Sequence, residues 1–168
     1  MPSSQPATTP AIGFERHDHA ACIEEGAAAA AAYCAENGLH FTPQRRRVLE
    51  ILLEGHRAMG AYEILDRLRD EGLGAQPPVA YRALDFLTSH GLAHRIERLN
   101  AFIACALMGQ RHTPAFLICR NCAAVAETAT DPTTGALGRA ARDAGFSIER
   151  AVIEAEGLCP ACHESAPA

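Results

Sequence analysis

The 168-residue chain contains no lysine and no tryptophan, and aromatic residues make up only 5% of it. It also lacks any apolar stretch near the roughly 20 residues that a membrane-spanning helix needs. Residues 1–20 have neither the basic segment nor the apolar core of a secretory signal peptide. These absences predict a cytoplasmic protein with no membrane partner.

Basic charge is scarce and unevenly distributed. The formal net charge is −5, which taken alone argues against a nucleic-acid partner. Residues 1–39 hold one arginine against five acids, residues 40–100 hold nine against eight, and residues 101–168 hold five against seven. The middle third is the only part that is not acidic, so the net charge does not exclude a nucleic-acid partner for that segment.

Two Cys-x-x-Cys pairs are the most informative motif. They are Cys119-Arg-Asn-Cys122 and Cys159-Pro-Ala-Cys162, and 36 residues lie between them. Four thiolates suit one tetrahedral zinc ion, which would join two distant segments and stabilise a small C-terminal domain.

The alternatives for these cysteines are two disulfides or a thioredoxin-like redox dithiol. The cytosol keeps thiols reduced, so seven cysteines in a cytosolic chain favour metal ligands or reactive thiols over disulfides. A redox dithiol normally follows a strand and opens a helix, whereas Cys159 and Cys162 follow a strand-like run almost at the end of the chain. Zinc binding is therefore the favoured interpretation.

Helical patterns fill the first half of the chain after a loose arm at residues 1–19, which is rich in Ser, Pro and Thr. Apolar spacing, N-caps and terminal glycines predict four helices. Their approximate bounds are Ala20–Glu36, Thr42–Gly55, Ala61–Arg69 and Pro77–Gly91. Tyr62, Leu65 and Leu68 are expected on one apolar face of the third helix. A short turn separates the last two helices, which predicts a helix-turn-helix.

A β-hairpin is predicted directly after the fourth helix. Residues 92–97 and 102–105 read as strands on either side of a turn. Three helices followed by a hairpin is the order of a winged helix, whose last helix enters the major groove of DNA. Tyr81 and Arg82, in the first half of that helix, suit base or phosphate contacts.

Three arginines at the start of the second helix, Arg45, Arg46 and Arg47, suit contacts to the DNA backbone. The alternative is that they only solvate an exposed helix face.

From Pro114 the chain predicts a second domain. A strand at 115–118 leads into the first cysteine pair, and residues 123–128 form its hairpin partner. A helix at about Thr133–Gly145 and a third strand at Ser147–Ala155 follow. One helix cannot cover both faces and edges of such a sheet, which predicts pairing with a second copy of the chain.

The predicted fold class is therefore α+β, in two domains. A winged helix-turn-helix domain spans 20–107, a hinge spans 108–114, and a dimerisation domain spans 115–168. The second domain is small and α/β, with a three-stranded sheet and a zinc site made of four cysteines.

Four further potential ligands meet at the domain boundary. His94 and Cys105 lie on the two strands of the hairpin, His112 in the connection, and Glu127 just after the first cysteine pair. Together they make a plausible tetrahedral zinc set, and the thiolate disfavours hard-ligand metals such as manganese. Singly, each has a structural interpretation as a surface histidine, a small core cysteine or a solvated carboxylate.

A further zinc site near the N-terminus is a weaker possibility. Its candidate ligands are His17, His19 and Cys22. The alternative is a polar arm followed by the start of a helix.

These motifs resemble the ferric uptake regulator family. The resemblance rests on the run 39–49 with Thr42-Pro43-Gln44-Arg45, the helix at 77–87, His94 and the two Cys-x-x-Cys pairs, and it covers about residues 20–165. Iron-type members carry a His-rich cluster before the first cysteine pair, where this chain has only Arg111-His112-Thr113. The chain is most similar to the zinc uptake branch. Val79-Ala80 departs from the family's usual Thr-Val, so the operator sequence or the affinity is expected to differ.

The resemblance implies a homodimeric, zinc-responsive repressor that binds palindromic operators of zinc-uptake genes. It implies structural zinc at the four cysteines, sensory zinc at the boundary set, and hence two ions per protomer. It also implies DNA contacts from Tyr62, Tyr81 and Arg82. Because the sensory ligands come from both domains, they can bind one ion only when the domains adopt one relative orientation.

Three other functions remain open at this point. An iron- or peroxide-responsive regulator of the same family is the nearest, and a ligand role for Cys105 disfavours it. A thiol redox switch needs an exposed cysteine of low pKa. A metallohydrolase needs an open coordination position, which four protein ligands would close, so no enzymatic activity is expected.

Overall fold

The computed structural model describes residues 13–15, 18–73 and 76–165. The predicted arm at 1–19 lies largely outside the described residues. The helices are α1 His19–Glu36, α2 Pro43–Leu53, α3 Ala61–Asp70, α4 Pro77–Ser89, α5 Gly135–Asp143 and α6 Pro160–Glu164. The strands are β1 Ala93–Ile96, β2 Ala101–Ala104, β3 Thr113–Cys119, β4 Val125–Thr130 and β5 Ile153–Gly157. Within the described ranges, no helix is long and apolar enough to cross a membrane.

Caps set the limits of the first two helices. Asp18 accepts a hydrogen bond from the Ala20 amide at 2.9 Å, and Thr42 accepts one from the Arg45 amide at 3.3 Å. Pro43 follows as the first residue of α2, where the lack of an N–H costs nothing. After α1 the chain turns through Gly38 with φ of 65°, a conformation that glycine adopts without strain.

One apolar core joins the four N-terminal helices to the base of the hairpin. Its largest fully buried members are Leu49, Ile51, Leu52, Ile64, Leu65, Leu68, Leu84, Leu87 and Leu92. The stripe on α3 consists of residues 61, 64, 65 and 68. The prediction that Tyr62 shares this face is wrong, because position 62 lies one residue off the stripe, and its side chain is 71% exposed.

The predicted hairpin forms, with β1 and β2 antiparallel from Ala93↔Ala104 to Ile96↔Ala101. The hairpin, together with Cys105 directly after β2, is referred to below as the wing. The segment between α2 and α3 ties the wing to the second domain through its backbone. Met59 and Phe102 exchange two hydrogen bonds of 2.8 Å, and the Val125 amide donates to the His56 carbonyl at 2.8 Å.

The C-terminal sheet has the order β4-β3-β5, with β3 antiparallel to β4 and parallel to β5. The third strand was predicted from Ser147 but begins at Ile153. The reason is that β5 pairs with β3 in parallel. After α5 the chain must therefore return to the N-terminal end of β3 before β5 can begin. The short helix α6 was not predicted.

The sheet turns one face towards the wing. Ile96 and Ile103 of the wing pack with Phe116, Ile118 and Val125 of the sheet in a second apolar core. On the other parts of this domain, four large apolar side chains remain exposed: Leu117 at 36%, Leu137 at 53%, Phe146 at 65% and Val152 at 48%. The single chain therefore leaves an apolar surface uncovered, as expected for a domain that pairs with a second copy.

Candidate metal centres

The four cysteines converge where β3 and β5 end, and we call them the four-cysteine cluster. Cys119 is the last residue of β3, Cys122 follows in a tight turn, and Cys159 and Cys162 bracket the start of α6. Their four sulfur atoms lie within 4.8 Å of one another, and the Cys122 and Cys159 sulfurs are 3.7 Å apart. Four thiolates bound to zinc at about 2.3 Å lie about 3.8 Å apart, so the cluster has the spacing of a tetrahedral site.

Hydrogen bonds prepare this cluster for a cation. Backbone N–H groups of Cys122 and Cys159 donate to the Cys119 sulfur and lower the pKa of that thiol to about 6. At Cys122 an N–H from Ala124 acts in the same direction, but hydrogen bonds with the neighbouring sulfurs dominate and raise its pKa to about 12. Asn121 also donates to the Cys162 sulfur at 3.3 Å. The donor set suits a divalent cation that replaces the shared protons.

The position of Cys159 corrects one step of the sequence argument. Cys159 is the N-cap of α6, so this pair does follow a strand and open a helix. Position in the fold therefore does not separate a redox dithiol from a zinc knuckle. The distinction rests on the convergence of all four sulfurs.

The boundary set also converges, and we call it the interdomain cluster: His94, Cys105, His112 and Glu127. Its ligand atoms lie within 4.8 Å of one another. Glu127 Oε1 is 2.8 Å from His112 Nε2 and 3.1 Å from His94 Nε2. The Cys105 sulfur is 3.6 Å from His112 Nε2 and 3.7 Å from Glu127 Oε1. Two side chains from the wing thus meet two from the second domain and its connection.

Hydrogen bonds behind the cluster orient its members. His112 Nδ1 donates to the Gln110 carbonyl at 2.8 Å, which directs Nε2 inwards. The second oxygen of Glu127 accepts the Ala106 amide at 2.7 Å, and the Leu107 amide donates to the Cys105 sulfur at 3.3 Å. Sequence reasoning missed these partners, because backbone groups leave no signal in residue type.

Two members of the cluster are buried, Cys105 and Glu127, and the two histidines are half-buried. Glu127 is 2% exposed. Burial acts to raise the pKa of Glu127, but hydrogen bonds and charge from His94, with the Ala106 amide and His112, hold it below its ordinary value. Burial, and then the Glu127 charge, raise the pKa of the Cys105 thiol to about 12.

His94 Nε2 completes the case for a cation. It is buried and lacks a well-directed hydrogen bond, although Glu127 Oε1 lies 3.1 Å away. A buried nitrogen of this kind is costly unless it has a partner. Two imidazoles, a thiol and a carboxylate around one point fit a zinc ion.

The predicted DNA-contacting side chains differ in availability. Tyr62 is 71% exposed, Tyr81 is 41% exposed, and Arg82 is exposed on α4. Arg45 lines a groove with Arg82, but its guanidinium lies 3.8 Å from the Phe86 ring centroid and donates to the His40 carbonyl.

The neighbours of Arg45 are committed to carboxylates. Arg47 bonds Glu50, Glu54 and Glu71 within the protein, and Arg46 pairs with Glu50. Arg47 therefore has a structural role within the protein and is not available for a DNA contact.

The described candidate ligands of the N-terminal zinc site, His19 and Cys22, do not converge with other potential ligands. Within residues 13–15, 18–73 and 76–165, only the four-cysteine cluster and the interdomain cluster bring three or more potential ligands together. His19 and Cys22 belong to neither, and His17 lies outside the described residues. The His19 ring contacts the His56 ring at 5.4 Å between centroids.

Known proteins resemble the chain along most of its length. It is 40% identical over 142 residues to the zinc uptake regulation protein of Escherichia coli (strain K12), which covers 84% of this chain and 83% of that protein. A zinc uptake regulator solved in complex with zinc and DNA is 40% identical, covers 85% of this chain and 96% of its own, and superposes with a TM-score of 0.78.

One further relative has been solved in two states, holo and apo. Holo XcZur is 35% identical, with 83% of this chain and 98% of that chain covered, and superposes with a TM-score of 0.74. Apo XcZur is 36% identical, with 85% and 99% covered, and gives only 0.50. The structure described here is therefore more similar to the holo form than to the apo form.

A family model matches residues 36–156, which include three of the helices that precede the wing, the interdomain cluster and the first cysteine pair. Together with the 40% identity to a regulator of known family, this match identifies the chain as a member of the ferric uptake regulator family.

Proposed function

We propose that this protein is a zinc-responsive transcriptional repressor that binds palindromic operators of zinc-uptake genes. The observation that carries the proposal is the interdomain cluster. His94 and Cys105 belong to the wing of a DNA-binding domain, whereas His112 and Glu127 belong to the connection and the sheet of the second domain. A site of this composition converts the presence of a metal ion into a relative orientation of two domains.

Two zinc ions per protomer follow from the two clusters. The structural ion would be held by Cys119, Cys122, Cys159 and Cys162, and the sensory ion by His94, Cys105, His112 and Glu127. Zinc, when bound, would act as a Lewis acid that holds the four side chains of each set together.

The protein's own groups turn this geometry into a DNA-binding state. His94 and Cys105 move with the wing, so their convergence on Glu127 selects one orientation of the winged helix. A coupling of a few kcal/mol is enough to change operator occupancy by about 10- to 100-fold. The closer superposition on the holo than on the apo relative supports this role for the cluster.

Operator recognition is assigned to α4 and its surroundings. Tyr81 and Arg82 would enter the major groove, with Tyr62 and Arg45 at its edges. A palindromic operator needs two such helices at a fixed separation, and thus a homodimer. The exposed Leu137, Phe146 and Val152 supply an apolar surface for that pairing.

The proposed division of the chain follows from these roles. Residues 20–107 bind DNA, 108–114 form the hinge, and 115–168 pair the protomers and hold the structural zinc, with an arm at 1–19. A regulator of chromosomal DNA of this kind works in the cytoplasm, and none of its assigned groups calls for enzymatic activity.

Cysteine chemistry argues against the other functions. Cys105 in the sensory set favours zinc over iron or manganese. A redox switch needs an accessible, reactive thiol, but the Cys119 sulfur, whose pKa the neighbouring N–H groups lower, is buried and lies within 4.8 Å of the other three cysteine sulfurs.

Selection of sheared genomic DNA by the purified protein tests the proposal. The protein is held at buffered free zinc in one sample and at buffered iron or manganese in matched samples, and the retained DNA is sequenced. We expect palindromes that are enriched only with zinc. Enrichment with iron or manganese instead would move the protein to another branch of the family, and no enrichment with any metal would contradict DNA binding.

A further inference from the structure

A second attachment joins the wing to the sheet, far from the interdomain cluster along the hairpin. The two oxygens of the Glu154 carboxylate accept the backbone N–H groups of Glu97 and Arg98 at 2.7 and 3.0 Å. These amides belong to the turn at the tip of the wing, whereas Glu154 lies on β5. Arg98 Nε also donates to Glu156 on the same strand at 2.9 Å.

The two attachments come from one row of the sheet. Phe116 of β3 is the register partner of Glu127 on β4 and of Glu154 on β5. Partners in register project from the same face, and neighbouring strands lie about 4.8 Å apart. The rigid sheet thus sets the distance between the carboxylate at the base of the wing and the carboxylate at its tip.

Phe116 fills the space between these two carboxylates. Its ring centroid lies 5.6 Å from that of His94, and its side chain packs in one core with Ile96 and Ile103 of the wing. The wing therefore rests on an apolar centre with a polar attachment at either end. Polar attachments at both ends hold the hairpin in one direction more tightly than the apolar centre and one attachment alone.

We propose that Glu154 is a positioning residue for operator binding: it fixes the tip of the wing on β5, so that the interdomain cluster and Glu154 together set the orientation of the DNA-binding domain. This rests on the proposed function. Glu154 touches neither a metal ligand nor a proposed DNA-contacting residue, and it acts through the amides of Glu97 and Arg98. Without it, the interdomain cluster and the apolar core still hold the base of the wing, but its tip is fixed less tightly.

The test compares Glu154→Ala and Glu154→Gln with the wild type at saturating zinc. Operator affinity, bound zinc and backbone amide exchange at residues 97 and 98 are measured for each. We expect Glu154→Ala to bind the operator about tenfold more weakly, to retain the zinc content of the wild type, and to exchange both amides faster. Glu154→Gln keeps one acceptor oxygen and should show an intermediate loss.

Glu24→Ala is the matched control, because it removes a carboxylate from the exposed surface of α1. It should leave all three measurements unchanged. Wild-type operator affinity and unchanged amide exchange in Glu154→Ala would overturn the proposal, and so would a loss of operator affinity that Glu24→Ala reproduces.

The experiment separates this proposal from the function on which it rests. Amide exchange is measured on the free protein, and operator binding by the wild type is measured separately. Failure of the wild type to bind DNA with zinc would sink the proposed function and the role of Glu154 with it. Wild-type binding with no effect of Glu154→Ala would remove only the role of Glu154.

Discussion

Glu127 shows at the scale of one residue how a buried charge can report on a metal. Its two oxygens are divided between two tasks: one accepts the Ala106 amide and the other faces His94 and His112. The carboxylate is therefore held in place whether or not a cation is present. The side chains that must come to it are those of the wing, and Cys105 is the softest ligand among them.

Replacement of Cys105 by serine should abolish zinc-dependent DNA binding while leaving the dimer and the zinc of the four-cysteine cluster intact. A hydroxyl is a much weaker zinc ligand than a thiolate, so the sensory site loses one of its four donors. Bound zinc should fall from two ions to one per protomer, and operator affinity with zinc should match that of wild type in which only the four-cysteine cluster is filled. Metal analysis and a binding titration measure the two quantities.

Cys34→Ala controls for the loss of a cysteine, because Cys34 is buried in the helical core and belongs to neither cluster. It should keep both zinc ions and the zinc response. Normal repression by Cys105→Ser with zinc would show that the sensory site lies elsewhere.

At the scale of an element, α2 and α3 are joined by a charge network as well as by their apolar stripes. Arg47 on α2 contacts Glu71 just after α3 at 2.7 Å, as well as Glu50 and Glu54. The Arg47 side chain is only 27% exposed, so the network is partly shielded from water. Arg67 on α3 completes it by pairing with Glu54 at 2.5 Å.

Arg47→Met should destabilise the protein by about 1–2 kcal/mol at pH 7, between the values typical of exposed and of buried ion pairs. The control is Arg46→Met at the next position, where the arginine is 51% exposed and pairs only with Glu50. That change should cost less than about 0.5 kcal/mol. Urea unfolding at fixed free zinc measures both, and equal losses would contradict the network.

The pH dependence of this network has a definite sign. The hydrogen bond from Arg47 lowers the pKa of Glu71 from its ordinary value of 4.5. A lowered pKa stabilises the folded protein above the ordinary value and loses that contribution as the pH falls through the lower one. The difference between Arg47→Met and the wild type should thus be the same at pH 8 and at pH 5.5.

The helices, the wing and the ligands of both clusters could be predicted from the sequence. The strand pairing of β5 and the contacts to backbone amides could not. Helix caps and apolar spacing identified α1 to α4 and the wing, and the spacing of Cys119, Cys122, Cys159 and Cys162 indicated the first cluster. The start of β5 was wrong because a parallel crossover leaves no local pattern. The contact between Glu154 and the tip of the wing involves backbone amides more than fifty positions away, which no residue type announces.

At the scale of the whole molecule, one protomer presents a surface that its own chain does not cover. On α5 only Gly138 is buried, and Leu137 is 53% exposed. Phe146 and Val152 follow in the same domain with exposures of 65% and 48%. A second copy that covers these side chains would remove them from water and hold two α4 helices at one separation.

Leu137→Glu should weaken the proposed dimer, because pairing would then bury an unpaired carboxylate. We expect the dimer dissociation constant to rise at least tenfold, measured by sedimentation equilibrium with zinc present. Leu73→Glu is the control, since Leu73 is similarly exposed at 43% but lies in the turn after α3. If Leu137→Glu stays as dimeric as this control, the pairing surface lies elsewhere.

The parallel pairing of β3 with β5 has a consequence for the order of folding. All of β4 and α5 lies between the two strands in the chain, so a long loop must close before any of their hydrogen bonds can form. Cys119 and Cys159 lie where these strands end, and a metal ion bound by all four cysteines would close that loop. Cys159 and Cys162 are also synthesised after every other proposed ligand. The refolding rate of the protein should therefore rise with free zinc, and the sheet should close late in synthesis.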